Sequence, residues 1–226
     1  GLSEDAVSLD FSVNSALPLH SAALLTECGH LEPRAKELTL LVRRWARDRG
    51  ISHSAKGHLT PYAWSLLAIY FLQTGTEDGV ALLPSLSGFE RSAELARKAG
   101  SPIKACKEWS PVQGEEGQKS TAALFKEFVH FYASEFDYRN EAVSVRLGRR
   151  KVPEISLPLH VLADDINTVA PSIEDPFDVR RNLGSNMTSV SFARLNEELA
   201  RADALCSSGC TLAALLEVWV PPEQAP

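Results

Sequence analysis

The clearest helical pattern in the chain lies between residues 33 and 50. Apolar residues recur there at i, i+3, i+4 and i+7, as Leu38, Leu41, Val42 and Trp45. Pro33 suits a first helical turn and Gly50 suits the stop. Since a residue advances by about 100°, Lys36, Arg43 and Arg47 project from roughly the opposite side. The pattern therefore predicts a helix with one core-facing side and one cationic side.

Other segments also carry helical signals. We predict a short helix from Pro18 to about Cys28 that ends at Gly29, an almost wholly apolar helix that starts at Pro61 after the N-cap Thr60, a helix over residues 89–99, a helix over residues 121–136, and a long helix from Thr188 to about Cys206 that stops at Gly209. The helix after Thr60 has so few polar positions that we expect it to be central and buried. Residues 74–118 are otherwise rich in Gly, Pro and Ser, which is typical of connecting segments.

Alternation of apolar and polar residues predicts strands at both ends of this helical region. Residues 7–13 alternate with period two, and residues 142–147 do the same. A basic run follows at residues 149–151, and residues 155–159 are a candidate partner strand, so we expect a small hairpin there. Residues 173–184 are acidic and aromatic, with a proline, and predict a structured loop. The fold class is therefore α+β, mostly helical, with a small β-hairpin.

Composition excludes some classes of protein. Of 226 residues, 44% are hydrophobic and 23% charged, which is typical of a globular chain and not of a disordered one. The net charge of -6 means that any anion-binding surface must be local. The apolar stretch 63–72 is about half of the ~20 residues that a bilayer span needs, and no secretory leader is visible. The four scattered cysteines favour reduced, buried thiols, so we expect an intracellular protein, cytoplasmic or mitochondrial, with no membrane partner.

Asp10, Arg43, Arg47 and Tyr62 are candidates for chemistry. Asp10 lies inside a predicted strand, where Asp is depleted; it is either a solvent-facing residue of an edge strand or a ligand of Mg²⁺. Arg43 and Arg47 lie one helical turn apart and suit successive phosphate oxygens, or simply form a solvated face. Tyr62 offers a ring on which a base could stack, or packs in the core.

Four stretches, taken in their order, resemble the terminal nucleotidyltransferases of the DNA polymerase β superfamily, which include terminal uridylyltransferases and poly(A) polymerases. They read L-D-F-S-V-N with P-L-H soon after; L-T-L-L-V-R-R-W-A-R-D-R-G-I-S with G-H-L-T-P-Y-A-W-S-L-L; L-F-K-E-F-V-H-F-Y-A-S-E-F-D leading to V-S-V-R-L-G; and I-E-D-P-F-D-V-R-R-N-L-G. Together they span nearly the whole chain. The resemblance implies that residues 1–30 are the end of a catalytic palm, and that residues 31–226 form the helical PAP-associated, nucleotide-recognition domain.

The resemblance also implies site residues. Asp10 would be the third metal-binding carboxylate of a two-Mg²⁺ site, whose first two carboxylates, a D-x-D, would lie upstream because nothing here matches them. In the nucleotide site, Arg43 and Arg47 fall where the family places lysines on the triphosphate, and Tyr62 matches the base-stacking tyrosine. Pro61 replaces a serine that meets a phosphate, and Ser21 replaces an asparagine that contacts the ribose. Asp175 and Asp178 match the base-recognition loop, and Arg181 replaces a histidine of uridylyl-adding members.

Basic residues near the predicted hairpin are candidates for contact with RNA. These are Arg146, Arg149, Arg150 and Lys151, which would track the RNA backbone or else form a solvated hairpin tip. Asp175 and Arg181 would either read the edge of the base or form a structural ion pair.

Two functional hypotheses follow from the resemblance. The first is part of an enzyme that adds UMP, or AMP, to the RNA 3′ end without a template, with UTP or ATP as substrate and protein partners in an RNA-processing complex. Without the upstream carboxylates, this chain alone is not a complete catalytic unit. The second is an inactive relative that serves as a structural or RNA-binding subunit of a ribonucleoprotein.

Overall fold

The computed structural model describes residues 17–76, 79–87, 89, 119–151 and 157–221, and helices account for about half of them. The helices are α1 (Leu17–Leu31), α2 (Pro33–Asp48), α3 (Pro61–Thr74), α4 (Thr121–His130), α5 (Ser189–Ser207) and α6 (Leu212–Leu215). A 3₁₀ turn spans Ser54–Lys56, and the strands are β1 (His160–Val161), β2 (Val169–Ala170), β3 (Glu174–Asp175) and β4 (Asp178–Asn182). The predicted strand over residues 7–13, Asp10 and the predicted helix beyond Phe89 lie outside the described residues.

Side-chain caps determine where the main helices begin. Thr60 Oγ1 accepts from Ala63 N at 3.1 Å, with Pro61 as the first residue of α3. Thr188 and Ser191 cap each other at the start of α5. These predicted starts are therefore confirmed, and a cap of this kind contributes about 1 kcal/mol. The short helix α6, capped by Thr211, has no counterpart among the predicted elements.

The first predicted helix is longer than expected, since Gly29 does not end it. Helix α1 continues to Leu31, and the chain then turns at Glu32, whose carboxylate accepts from Arg34 N at 3.0 Å and caps α2. A Cβ on Gly29 would lie 3.4 Å from Lys36 Cβ. That distance is an ordinary contact, and Gly29 is an internal residue of α1 rather than its C-cap.

The predicted helix over residues 121–136 changes geometry near its end. Helix α4 stops at His130, and one π-helical turn follows over Phe131–Glu135. Phe136 N donates to Phe131 O at 2.9 Å, the i to i−5 bond of that wider turn. The turn places both Phe131 and Tyr132 in the core, and the Tyr132 hydroxyl donates to Leu67 O at 2.9 Å.

The strand pairing differs from the predicted hairpin. The segment 142–147 forms no regular strand; Val143 makes a single parallel bridge with Ile173 and then enters a turn. The two antiparallel pairs are β1 with β2 and β3 with β4. Residues 173–184, predicted as a structured loop, thus contain the β3–β4 hairpin. Alternation shows that one face of a segment is buried, but the partner is a distant segment that periodicity does not identify.

Helix α3 lies at the centre of the core, as its apolar sequence predicts. Every residue from Ala63 to Gln73 is buried. Trp64 meets the Trp45 ring edge to face at 5.5 Å, and Trp45 meets Phe125 at 5.8 Å, which joins α2, α3 and α4. Leu24 and Cys28 of α1 belong to the same core, on the other side of the predicted boundary at residue 30.

A buried ion cluster fastens α2 to α5 and to the C-terminal segment. Glu198, 3% exposed, accepts from Arg49 Nε and Arg49 NH2, both at 2.8 Å, and from Arg194 NH2 at 2.6 Å. Arg49 also donates to the Glu217 carbonyl. Trp219 N donates to Asp48 O at 2.8 Å. Polar contacts therefore close this side of the fold.

Two expectations from composition can be compared with the described residues. Cys28 is buried, whereas Cys206 and Cys210 are partly exposed free thiols. None of the helices in the described ranges has the length and apolar character to cross a bilayer.

Candidate nucleotide site

Residues from three elements meet around the Tyr62 phenol. Tyr62 lies in the first turn of α3, Ser21 comes from α1, and Asp175 and Arg181 come from the β3–β4 hairpin. Burial raises the pKa of Tyr62 and outweighs the lowering effects of neighbouring Ser21 and Arg181, while Asp175 adds to the rise, so the phenol is neutral at physiological pH. The structure therefore brings together four of the residues predicted for the nucleotide.

The Tyr62 hydroxyl is buried and has no hydrogen bond of good geometry among the described residues. The Ser21 hydroxyl lies beside it but donates its own proton to Leu17 O at 3.0 Å. An unpartnered buried hydroxyl is uncommon in folded proteins, because its desolvation is not compensated. This hydroxyl is available to a bound polar group.

The β3–β4 hairpin is held by a buried carboxylate. Asp175 has no exposed surface; its Oδ1 accepts from Phe177 N at 3.0 Å, and its Oδ2 lies 3.5 Å from Arg181 NH1. The Arg181 side chain is 54% exposed, so it, and not Asp175, presents polar atoms to the outside. Asp178 is exposed and accepts from Arg180 N.

Aromatic packing sets the position of this hairpin. The Phe177 ring lies 5.4 Å from the His20 ring of α1 and 6.1 Å from Phe89. His20 belongs to the P-L-H motif, and Phe177 belongs to I-E-D-P-F-D. Two of the motifs that are far apart in sequence are therefore in direct contact.

Arg43 and Arg47 lie on the exposed side of α2, as the helical pattern predicts. Arg47 donates from Nε to Asp48 Oδ1 at 3.1 Å, and its side chain is 66% exposed. Within the described ranges, Arg43 makes no hydrogen bond or ion pair, and none joins either arginine to Tyr62. Their contact with a triphosphate remains a prediction.

Pro61 is exposed at the first position of α3. Its carbonyl accepts from Ser65 Oγ at 3.0 Å, and the adjacent Thr60 hydroxyl is used as the helix cap. No hydroxyl at this position is thus available for a phosphate, which the replacement of serine by proline already indicated.

Two of the four basic residues predicted for RNA are ion-paired to buried carboxylates. Arg146 holds Glu174, with NH2 to Oε2 at 2.9 Å, and Arg150 holds Glu141, with NH2 to Oε1 at 2.6 Å. Glu174 and Glu141 are each 1% exposed. These arginines therefore neutralise buried charge, whereas Arg149 and Lys151 are exposed and remain the better candidates for RNA.

Sequence reasoning did not single out Glu141 and Glu174. The available signal was an acidic residue adjoining apolar positions in E-A-V-S-V and in S-I-E-D-P-F. Such a residue needs a cation once it is buried. The nearby candidates in the sequence were Arg146 and the basic run at residues 149–151.

Across the described ranges, no group of three His, Cys, Asp or Glu side chains is arranged to hold a metal ion. The predicted ligand Asp10 lies outside those ranges. The two-Mg²⁺ site consequently stays a prediction that depends on Asp10 and on carboxylates elsewhere.

Comparison with known proteins agrees with this geometry. Residues 120–181 match a family described as Cid1 family poly A polymerase. The chain is 30% identical over 206 residues to the speckle targeted PIP5K1A-regulated poly(A) polymerase of Bos taurus, an alignment that covers 88% of this chain and 22% of that protein. It is 27% identical over 207 residues to the poly(A) RNA polymerase GLD2-A of Xenopus laevis, covering 88% and 36%.

The fold agrees as well. A solved structure of a cytoplasmic RNA terminal U-transferase superposes with a TM-score of 0.69 at 25% identity, and the match covers 92% of this chain and 65% of that one. By these matches the chain is similar to the terminal nucleotidyltransferases of the DNA polymerase β superfamily. Within these terminal nucleotidyltransferases it corresponds to the C-terminal part, and it spans well under half of the two curated relatives. The family resemblance and the α+β, mostly helical fold class are thus confirmed.

Proposed function

We propose that this chain is the nucleotide-recognition part of an enzyme that transfers a nucleoside monophosphate to the RNA 3′ end. The observation that supports it is the convergence of Ser21, Asp175 and Arg181 around the buried, unpartnered Tyr62 hydroxyl. In this proposal the Tyr62 ring supports the base and its hydroxyl meets a polar group of the nucleotide. Similarity to the family supports the same reaction class.

The catalytic groups would come from the chain and from the metal that it would help to hold. Asp10 would supply one carboxylate ligand. Two bound Mg²⁺ ions would neutralise charge on the α-phosphate while the RNA 3′-hydroxyl attacks and pyrophosphate leaves. Arg43 and Arg47 would bind the triphosphate.

We further propose that the preferred base is uracil and that adenine is the weaker alternative. A guanidinium has only donors, and Arg181 is an exposed polar group of the hairpin that lies near Tyr62. The uracil O4 edge accepts a hydrogen bond, whereas the adenine N6 amino group donates one. Arg181→Ala is therefore expected to reduce the ratio of UTP to ATP incorporation. An unchanged ratio would contradict the proposed role of Arg181.

The decisive experiment compares Tyr62→Ala with Tyr62→Phe in the full-length protein, with an RNA primer, Mg²⁺ and either UTP or ATP. Loss of base stacking costs about 1–3 kcal/mol, which is about a 5- to 150-fold fall in kcat/KM for Tyr62→Ala. Tyr62→Phe keeps the ring, so its loss is expected to be smaller. Asp10→Ala is expected to abolish addition without unfolding the protein.

A wild-type protein that binds neither UTP nor ATP saturably would overturn the enzyme proposal and leave the inactive-subunit hypothesis. We propose an intracellular site of action, in the cytoplasm or in mitochondria, and an RNA 3′ end as the partner. The free thiols at Cys206 and Cys210 support a reducing compartment.

A further inference from the structure

The Asp48 carboxylate joins two arginines at the end of α2. Its Oδ2 accepts from Arg44 Nε, and its Oδ1 accepts from Arg47 Nε at 3.1 Å. The Asp48 side chain is only 9% exposed, although it lies on the outer side of the fold. Burial opposes ionisation, but hydrogen bonds and charges from Arg44 and Arg47 outweigh it and lower the Asp48 pKa. Asp48 is therefore a carboxylate at neutral pH.

Both arginines use the same nitrogen for this contact. Each guanidinium donates to Asp48 through Nε, and the side chains of Arg44 and Arg47 remain 58% and 66% exposed. The terminal nitrogens of Arg47 have no partner among the described residues. These two nitrogens form the end of the planar fork that binds phosphate oxygens in pairs. The contact with Asp48 therefore restrains the guanidinium without blocking its anion-binding end.

The backbone of Asp48 is itself fixed. Its carbonyl accepts from Trp219 N at 2.8 Å. The Trp219 indole packs on Gly50 and lies 4.6 Å from the Arg194 guanidinium, and the intervening Arg49 belongs to the buried cluster with Glu198. The carboxylate thus extends from a rigid point, whereas an exposed arginine alone has large side-chain freedom.

We propose that Asp48 is a positioning residue that orients the Arg47 guanidinium toward the triphosphate of the incoming nucleotide. This inference rests on the proposed function, in which Arg47 binds that triphosphate. Arg43, Arg44 and Arg47 together outnumber the single carboxylate, so the end of α2 still attracts an anion. Asp48 supplies orientation, and the arginines supply the charge.

The experiment measures binding of UTP and of inorganic tripolyphosphate to the full-length protein by calorimetry, for Asp48→Ala and Asp48→Asn. Immobilising one long side chain costs about 0.5–1.5 kcal/mol, so Asp48→Ala is expected to weaken both ligands about three- to tenfold. Asp48→Asn keeps an oxygen acceptor for one Nε, and its loss is expected to be smaller. In turnover assays KM for UTP rises while kcat stays unchanged.

Two controls separate positioning from a structural effect. Asp203→Ala removes another ion-paired aspartate, bonded to His130 at 3.2 Å, and is expected to leave binding unchanged. In an Arg47→Ala background, adding Asp48→Ala is expected to have no further effect, because the two residues act as a unit. The thermal unfolding midpoint of each variant checks that it is folded.

The outcomes are distinct. Tighter binding by Asp48→Ala would show that Asp48 competes with the phosphates for Arg47, and unchanged binding would show that it does not act on them; either result overturns the inference. A folded wild-type protein that binds UTP but not tripolyphosphate would overturn it too, since the inference concerns the phosphates. A wild-type protein that binds no nucleotide would defeat the proposed function itself, a result that the wild-type measurement alone reveals.

Discussion

Replacing Glu198 by Gln tests the buried ion cluster that joins α2 to α5. The wild-type carboxylate is 3% exposed and accepts three hydrogen bonds, from Arg49 at 2.8 Å twice and from Arg194 at 2.6 Å. Glutamine has nearly the same shape but no charge, so Arg49 loses its counter-ion and Arg194 keeps only Glu197 at 3.7 Å, while the two arginine side chains are 7% and 13% exposed. The loss in free energy of unfolding then comes mainly from the uncompensated arginine charge and less from lost packing.

The expected cost is about 3 kcal/mol, at the lower end of the range for removing one partner of a buried ion pair, because the amide oxygen still accepts one bond. For a domain of this size that corresponds to a fall of about 6–12 °C in the unfolding midpoint. Urea denaturation followed by circular dichroism at 222 nm measures the free energy. The matched control is Glu197→Gln, one residue earlier, where the side chain is 71% exposed and 3.7 Å from Arg194.

The pH dependence gives the same prediction a second readout. Burial acts to raise the pKa of Glu198, but hydrogen bonds and charges from Arg49 and Arg194 outweigh it and hold that pKa below its ordinary value of 4.5. The resulting stabilisation is present above pH 4.5 and is lost as the pH falls through the lower native value. The difference in free energy of unfolding between wild type and Glu198→Gln therefore becomes smaller at acidic pH. A variant as stable as the control at pH 7 would refute this reasoning.

Three other substitutions have expected outcomes for the free energy of unfolding, measured in urea. Gly50→Ala adds a Cβ 2.8 Å from the Trp219 indole, at a residue whose φ is +70°. Gly209→Ala has a similar φ of +77°, but no atom lies within 4 Å of the added Cβ, so it should lose only the roughly 1 kcal/mol of backbone strain. Gly50→Ala should therefore lower the free energy of unfolding by more than Gly209→Ala does. Thr60→Ala removes the side-chain cap of α3 and should lower the free energy of unfolding by about 1 kcal/mol, whereas Thr60→Ser keeps the hydroxyl and should not lower it. Equal losses in the two variants would show that the cap does not stabilise the fold. Arg146→Ala leaves the buried Glu174 carboxylate unpaired and should lower the free energy of unfolding. Lys151→Ala should leave that free energy unchanged and affect only RNA binding, measured by filter retention. Equal stability of the two variants would contradict the ion pair between Arg146 and Glu174.

Helix positions were readable in the sequence because their causes are local. The spacing of Leu38 and Trp45 assigns one side of α2 to the core, and Thr60 with Pro61 specifies the start of α3. Those signals involve residues within one or two turns of each other. The motif order also located Tyr62 and Arg181, which the structure brings to one place.

Contacts between distant segments were not readable in this way. The alternation around Val143 was visible, but its partner Ile173 is 30 residues away, and the predicted strand over residues 142–147 was wrong. Residues 155 and 156 of its predicted partner strand lie outside the described residues. The same holds for the basic residues: Arg146 and Lys151 look alike in sequence, yet only the packing of Glu174 gives Arg146 a buried partner. The sequence by itself determined which residues carry charge and which faces are apolar. Tertiary structure decided which charges lose their water and must find each other, because burial depends on segments that periodicity cannot pair.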